Sequence, residues 1–263
     1  MNEVITYGQN YGLTKGIKIF AKSSKRVDAT TTVLGLNLKD DAIQFLKDNG
    51  FNYVDVKPLA EKHGVNLSLS PYTLKVILFY LYVKNVSTAD NVFLCDFTDI
   101  FFQKNIFIEK RNKATVFTEG ELIGNCPTNS TWINLCYNQD IFGLLKNKEI
   151  INGGAILGPR NKCVDLLKEM CLDSSVVIAK IGNYQNIDQA ILNKVVYFDA
   201  PTYEICGPSF VLNMAHHDKK TPIRVESDYI NTHIKAYGSI PAVVHQYDVN
   251  KEIEKFINED FGK

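Results

Sequence analysis

Val92-Phe93-Leu94-Cys95-Asp96-Phe97-Thr98-Asp99-Ile100-Phe101-Phe102-Gln103 is an apolar run broken by two carboxylates three residues apart. Four consecutive hydrophobic residues after the Ala89-Asp90-Asn91 turn signal predict a short strand buried on both faces, the kind found inside a parallel sheet. Such a strand presents ligand groups at its carboxyl end. Burying an unpaired carboxylate is costly, so an acid in this setting is paired or holds a cation. A turn at Phe97-Thr98 folds Asp96 and Asp99 back onto one point, a hard oxygen site suited to Mg²⁺ or Mn²⁺. The competing reading makes Asp96 a turn or helix cap and leaves Asp99 solvated.

Farther along, Thr115 to Glu119 predicts a strand ending in the acid of Phe117-Thr118-Glu119, with Cys126-Pro127 behind it. Ile151-Asn152-Gly153-Gly154-Ala155-Ile156-Leu157-Gly158 sets two glycines among apolar residues, either for close approach of a backbone or ligand or for a tight bend. Asn186-Ile187-Asp188-Gln189 opens a helix with Asn186 at its cap, and Val243-Val244-His245 ends a late strand. In this order and spacing the segments resemble the glycosyltransferases of the GT-A fold. The D-x-x-D variant looks like the branch that includes the glycosyltransferase domain of the collagen-modifying lysyl hydroxylases. The resemblance covers about residues 90 to 250.

What the resemblance implies is a Rossmann-like, mainly parallel twisted sheet flanked by helices, with Asp96, Asp99 and His245 as metal ligands. An imidazole beside two carboxylates favours Mn²⁺ over Mg²⁺, which prefers all-oxygen shells. Asp248 is a candidate to orient the ring. Phe97 and Thr98 would border the bound donor, while Asn152, Gly153, Gly154, Asp188 and Gln189 would meet its sugar. Asp188 or Glu119 is the candidate catalytic carboxylate; for Asp188 the competing role is stabilising a helix dipole. His216-His217-Asp218 is a rival cluster read as surface, because adjacent histidines point apart.

Upstream, strands alternate with helices. Val4 to Tyr7 predicts a strand ending at Gly8, Lys15 to Ser23 a helix, Thr31 to Asn37 a second strand, and Phe51 to Val56 a third. Asp40 or Asp41 caps the helix between the last two, which stops at Asn49-Gly50. Units this short imply right-handed βαβ crossovers. Thr6, Tyr7, Gly8 and Asn37, at strand ends, become candidates for a nucleotide pocket, with Tyr7 either stacking on a base or lying at the rim. Ser70-Pro71 opens a helix through Val83 whose Leu74, Ile77, Leu78 and Leu81 share one face. Lys75 on it points either at a diphosphate or into solvent. Asn129 to Gln139 reads as a polar loop in which Trp132 is a recognition surface or an anchor. Arg160 to Met170 reads as a helix, and Lys251 to Phe261 as a terminal amphipathic one.

Composition bounds the rest. The 263 residues fit a single domain spanning 1–263, and 45% hydrophobic with 22% charged residues is enough to build a substantial core. Lys+Arg and Asp+Glu both number 29, so the basic excess of a nucleic-acid binder is absent. The first residues lack the regions of a signal peptide, and the longest apolar run, Val76 to Val83, is too short to span a bilayer. Six cysteines without zinc or C-x-x-C spacing point to reduced thiols, so a soluble cytoplasmic protein is expected. The expected activity is metal-dependent transfer of a sugar from a nucleotide-diphosphate donor, a UDP-sugar first, to a hydroxyl of a glycan or glycoconjugate. Two alternatives remain open. One is an inactive relative that binds a sugar or a partner; the other is a sugar-nucleotide nucleotidyltransferase, whose Gly-rich opening loop Gly8 to Lys15 matches poorly.

Overall fold

The computed structural model describes residues 1–182, 187–215, 223–227 and 232–261. The first half alternates strands and helices: β1 (Asn2–Gln9), α1 (Lys15–Ser24), β2 (Thr30–Leu36), α2 (Asp40–Asp48), β3 (Asn52–Asp55), α3 (Lys57–Lys62), α4 (Pro71–Asn85) and β4 (Asn91–Cys95). There follow β5 (Ile100–Phe102), β6 (Thr115–Leu122), α5 (Pro127–Cys136), α6 (Gln139–Leu145), β7 (Glu149–Pro159), α7 (Arg160–Ile181) and α8 (Asp188–Phe198). The chain then runs through β8 (Glu204–Cys206), β9 (Val211–Asn213), β10 (Arg224–Ser227), β11 (Thr232–Lys235), β12 (Val243–His245) and α9 (Lys251–Phe261).

Seven strands form the central sheet in the order β3-β2-β1-β4-β7-β6-β8. Pairing is parallel throughout except where β7 lies antiparallel to both β4 and β6. The sheet is therefore mostly parallel with helices on both faces, an α/β architecture compatible with a Rossmann-like fold. The expectation for β4 needs one correction: its outer neighbour, the Gly153-Gly154 strand, runs against it. Burial on both faces holds, because alternate residues enter different cores. Val92 and Leu94 join the cluster that includes residues of α4, α7 and α8, whereas Phe93 and Cys95 join the one that includes residues of α1 and α2. By the same alternation Asp96 emerges on the α4 side and Phe97 on the α1 side, where it meets Phe20 edge-on at 5.3 Å.

Local signals account for most boundaries. The Ser70 hydroxyl accepts from the Thr73 N–H at 3.3 Å with Pro71 in the first turn of α4, and Thr14 caps α1 in the same way. Around α2 the cap residue is Lys39, and Asp40 and Asp41 lie inside the first turn, where they favour the helix dipole. α7 continues past Met170 to Ile181 and ends at Gly182, whose φ of 78° is left-handed. The segment expected as a polar loop around Trp132 is instead the helix α5, entered through Pro127; Trp132 is half-buried against the main core and acts as an anchor. Asn186 and His216-His217-Asp218 lie outside the described residues.

A three-stranded sheet, β5-β12-β9, sits beside the central one. Its register is decisive for the site: His245 of β12 lies opposite Ile100 of β5 and beside Asn213 of β9. Among the described residues, no helix is long and apolar enough to cross a membrane.

Candidate metal centre

Asp96 leaves the end of β4, Phe97 and Thr98 turn the chain, and Asp99 precedes β5. Because β12 pairs with β5, His245 arrives against both acids: its Nε2 lies 3.3 Å from Asp96 Oδ2 and 3.4 Å from Asp99 Oδ2. One ligand atom from each residue falls within 4.8 Å of the others. Among the described residues neither ring nitrogen of this buried imidazole makes a hydrogen bond of good geometry; Nε2 faces the two acids, and a coordinated ion would give it a partner. Gly154 lies opposite: a Cβ there would stand 2.5 Å from Asp96 Oδ2 and 2.5 Å from His245 Cε1. Gly154 has no positive φ, so it is glycine here for space rather than for a bend. Two carboxylate oxygens, one imidazole nitrogen and an open cradle fit a six-coordinate divalent ion, whose adjacent ligands lie roughly 3 Å apart at usual bond lengths. Mn²⁺ suits that donor set.

Lys75 is not solvated: it is paired with two carboxylates and reaches the wall of the cavity into which the acids open. It is buried in α4, its ammonium 2.8 Å from Asp96 Oδ1 and 3.1 Å from Asp188 Oδ2, with the Gly153 carbonyl at 3.4 Å. The two oxygens of Asp96 are thus divided, one to Lys75 and one toward His245. Electrostatics follow the geometry. Burial opposes the charge on Lys75, but Asp96 and Asp188 outweigh it and hold the ammonium above the usual lysine range. Burial would raise the Asp96 carboxyl, yet Lys75 and then His245 bring it well below the usual carboxylate range. Burial would strip the His245 proton, but Asp99 and Asp96 push the imidazole up to about 10.

The acids open into a cavity of about 420 Å³ lined by Tyr7, Gln9, Asn10, Tyr11, Pro71, Tyr72, Lys75, Asp96, Phe97, Thr98, Asp99 and Gln246. Tyr7 is in that wall, with its hydroxyl given to Gln9 Oε1 at 2.8 Å. Thr6 is buried in β1 opposite Cys95, and Gly8 backs onto Phe97, where a Cβ would come within 2.9 Å of the ring. Asn37, exposed and left-handed at φ 55°, is not among the residues lining this cavity.

Five other expected residues lie behind the centre and brace it. Asn152 donates to Glu119 Oε1 at 2.9 Å and accepts from the Gly154 N–H at 2.8 Å. Glu119 is buried and accepts a second amide proton from Asn213 at 2.9 Å, so it secures β7 to β9 rather than lining the cavity. Gln189 is also spent inside the protein: its Oε1 accepts from Gly153 N–H at 2.9 Å and its amide donates to Asn129 Oδ1 at 3.0 Å. Gly153 faces Gln189, and Asp188, in the first turn of α8, faces Lys75. Asp248 does not orient His245; it is exposed in the turn after β12, while Nδ1 has no hydrogen-bond partner among the described residues.

Several residues of the site carry little signal in sequence. Gln9 ends the first strand, Asn10 and Tyr11 directly follow it, and Gln246 follows the histidine, so position alone marks them. Tyr72 is hidden in a helix start, and Asn129 and Asn213 look like any polar residue near an apolar run. Comparison of the chain with protein-family models and with curated protein sequences finds no match, which leaves the geometry of this centre as the ground for a functional reading.

Proposed function

We propose that the chain is a metal-dependent glycosyltransferase of the GT-A type. It would take a nucleotide-diphosphate sugar, a UDP-sugar in the first instance, and pass the sugar to a hydroxyl of a glycan or glycoconjugate. The observation that carries this reading is the Asp96, Asp99 and His245 cluster opening into a cavity walled by Tyr7, Tyr11 and Tyr72. A nucleotide diphosphate needs a cation for its phosphates and a flat surface for its base, and both are offered in one cavity.

A Mn²⁺ ion, or Mg²⁺ in its place, held by these three residues would neutralise the charge that grows on a departing diphosphate. The chain's own groups have distinct tasks. Asp99 and one oxygen of Asp96 supply the anionic donors, and Lys75 fixes the other oxygen so that Asp96 cannot swing away. Tyr11 and Tyr72 are the exposed faces on which a base can stack. Asp188, buried beside the cavity and paired with Lys75 one ammonium away from Asp96, is the carboxylate proposed to take a proton from the acceptor or to steady a cationic sugar. Glu119 acts through Asn152 as a brace.

Thermal-shift screening against UDP-, GDP- and CMP-sugars, with and without Mn²⁺, tests the donor class, because a ligand that binds only the folded chain raises its stability. The expected result is a shift with UDP-sugars that requires Mn²⁺, together with Mn²⁺-dependent hydrolysis of the donor. Asp99→Ala should remove both. UDP affinity that survives that substitution would count against the site.

A further inference from the structure

The two acids are only as well placed as the turn between them, and that turn is held from outside. Both of its later carbonyls are taken by the residues that follow His245: the Gln246 N–H donates to Asp99 O at 2.9 Å, and the Tyr247 hydroxyl donates to Thr98 O at 3.1 Å. Gln246 is left-handed at φ 54°, ψ 41°, a conformation uncommon outside glycine, and it reverses the chain so that Tyr247 points back at the turn. The Tyr247 ring is buried in the cluster that holds Phe101, Val244, Ile253 and Ile257. On the opposite side α1 abuts the same carbonyl, since a Cβ on Gly16 would stand 2.2 Å from Thr98 O.

We infer that Tyr247 is a positioning residue for the metal centre. With left-handed Gln246 it clasps the Phe97-Thr98 turn to the strand carrying His245, and so sets the spacing of Asp96, Asp99 and the imidazole. This rests on the metal reading of those three residues and adds a residue that touches none of the metal's donor atoms. Asp96, Phe97, Thr98 and Asp99 include neither glycine nor proline, so the two carbonyl bonds from the residues after His245 add to what the local sequence contributes to the turn. Without the hydroxyl, Thr98 O loses its partner and Asp99 is free to drift from Nε2, while the ring still fills its place in the core. Outer-shell partners bonded directly to a ligand typically govern metal affinity by about 10- to 100-fold, and a residue that holds the adjoining turn is expected near the lower end of that range.

The test is Mn²⁺ binding to the full chain, followed by electron paramagnetic resonance of the free ion, alongside thermal unfolding without metal. Tyr247→Phe is expected to bind Mn²⁺ about tenfold more weakly or worse, with the metal-free Tm lowered by no more than about 4 °C. Gln246→Gly should keep the affinity, because glycine adopts the left-handed turn freely, whereas Gln246→Val should weaken it. Tyr247→Phe binding as tightly as the unaltered chain, where Asp99→Ala does not bind, would overturn the clasp and leave the metal site standing. No Mn²⁺ binding by the unaltered chain would overturn both. Should Tyr247→Phe fail to fold, the Gln246 pair decides, and equal affinity of its two members would sink the inference.

Discussion

Gly154 shows how much one hydrogen atom in place of a methyl can matter. Its backbone is in a region open to alanine, so Gly154→Ala should fold, yet the added carbon would press on Asp96 and His245 at 2.5 Å. We expect at least about tenfold weaker Mn²⁺ binding with an unchanged circular dichroism spectrum, in keeping with the sensitivity of metal sites to their surroundings. Unchanged affinity by isothermal titration would show that the cradle is not used. His245 carries a prediction of opposite kind. Its imidazole, raised to about 10 by Asp99 and Asp96, is protonated in the metal-free protein at neutral pH, and coordination requires the neutral ring. Mn²⁺ affinity should therefore climb as pH rises from about 6.5 toward 10, with close to one proton released per ion, measured by titration calorimetry in buffers of different ionisation heat. Without metal the sign reverses: this group's stabilisation is full below its unfolded value of about 6.5 and fades as pH approaches 10. At this scale the D-x-x-D spacing was readable, because a turn between near neighbours is a local matter. The roles of Glu119 and Gln189 were not, since an amide or carboxylate looks the same in sequence whether it faces a ligand or a backbone N–H.

Among elements, β7 and α8 are joined by two α8 side chains, Gln189 at Gly153 and Asn193 at Ile151. Asn193 is fully buried; its Oδ1 accepts from Ile151 N–H at 2.8 Å and its amide donates to Ile151 O at 2.9 Å and Gln189 O at 2.8 Å. It supplies a ladder partner at the point where the β6–β7 register is irregular. Asn193→Ala leaves both Ile151 groups buried without it, at about 1–3 kcal/mol for each unpaired group. Urea unfolding should register that loss, and a change under about 0.5 kcal/mol would mean that the strand finds other partners. Strand and helix positions in the first half were legible because the apolar period switches cleanly between them. Antiparallel β7 was not, for a buried strand reads the same in either direction. α5 was missed because its composition is polar and its start signal is only Pro127.

For the whole molecule, the centre depends on the chain's two ends meeting. α9 packs its Ile253 and Ile257 with Ile19, Phe101 and Val244, while Arg26 of α1 lies over the rings of Phe101 and Phe261 at 5.6 and 4.8 Å. Ile257 is completely buried, so Ile257→Ala should cost about 2–5 kcal/mol through lost contact and the cavity left behind. Added Mn²⁺ and UDP should recover part of the lost Tm, in proportion to how far they exceed their dissociation constants. A variant that the ligands fail to stabilise, although they stabilise the unaltered chain, would mean that α9 supports the site as well as the fold.

By itself the amino-acid sequence determined the alternation of strands and helices, the doubly buried acidic strand and the pair of carboxylates at its end, because each is encoded in the period and chemistry of neighbouring residues. Only the tertiary structure decided that His245 meets those acids, that Lys75 is locked between Asp96 and Asp188, and that Gly154 clears the space among them. Those arrangements come from strand register and helix packing between distant segments, and no local pattern of residues records which distant groups a sheet will bring face to face.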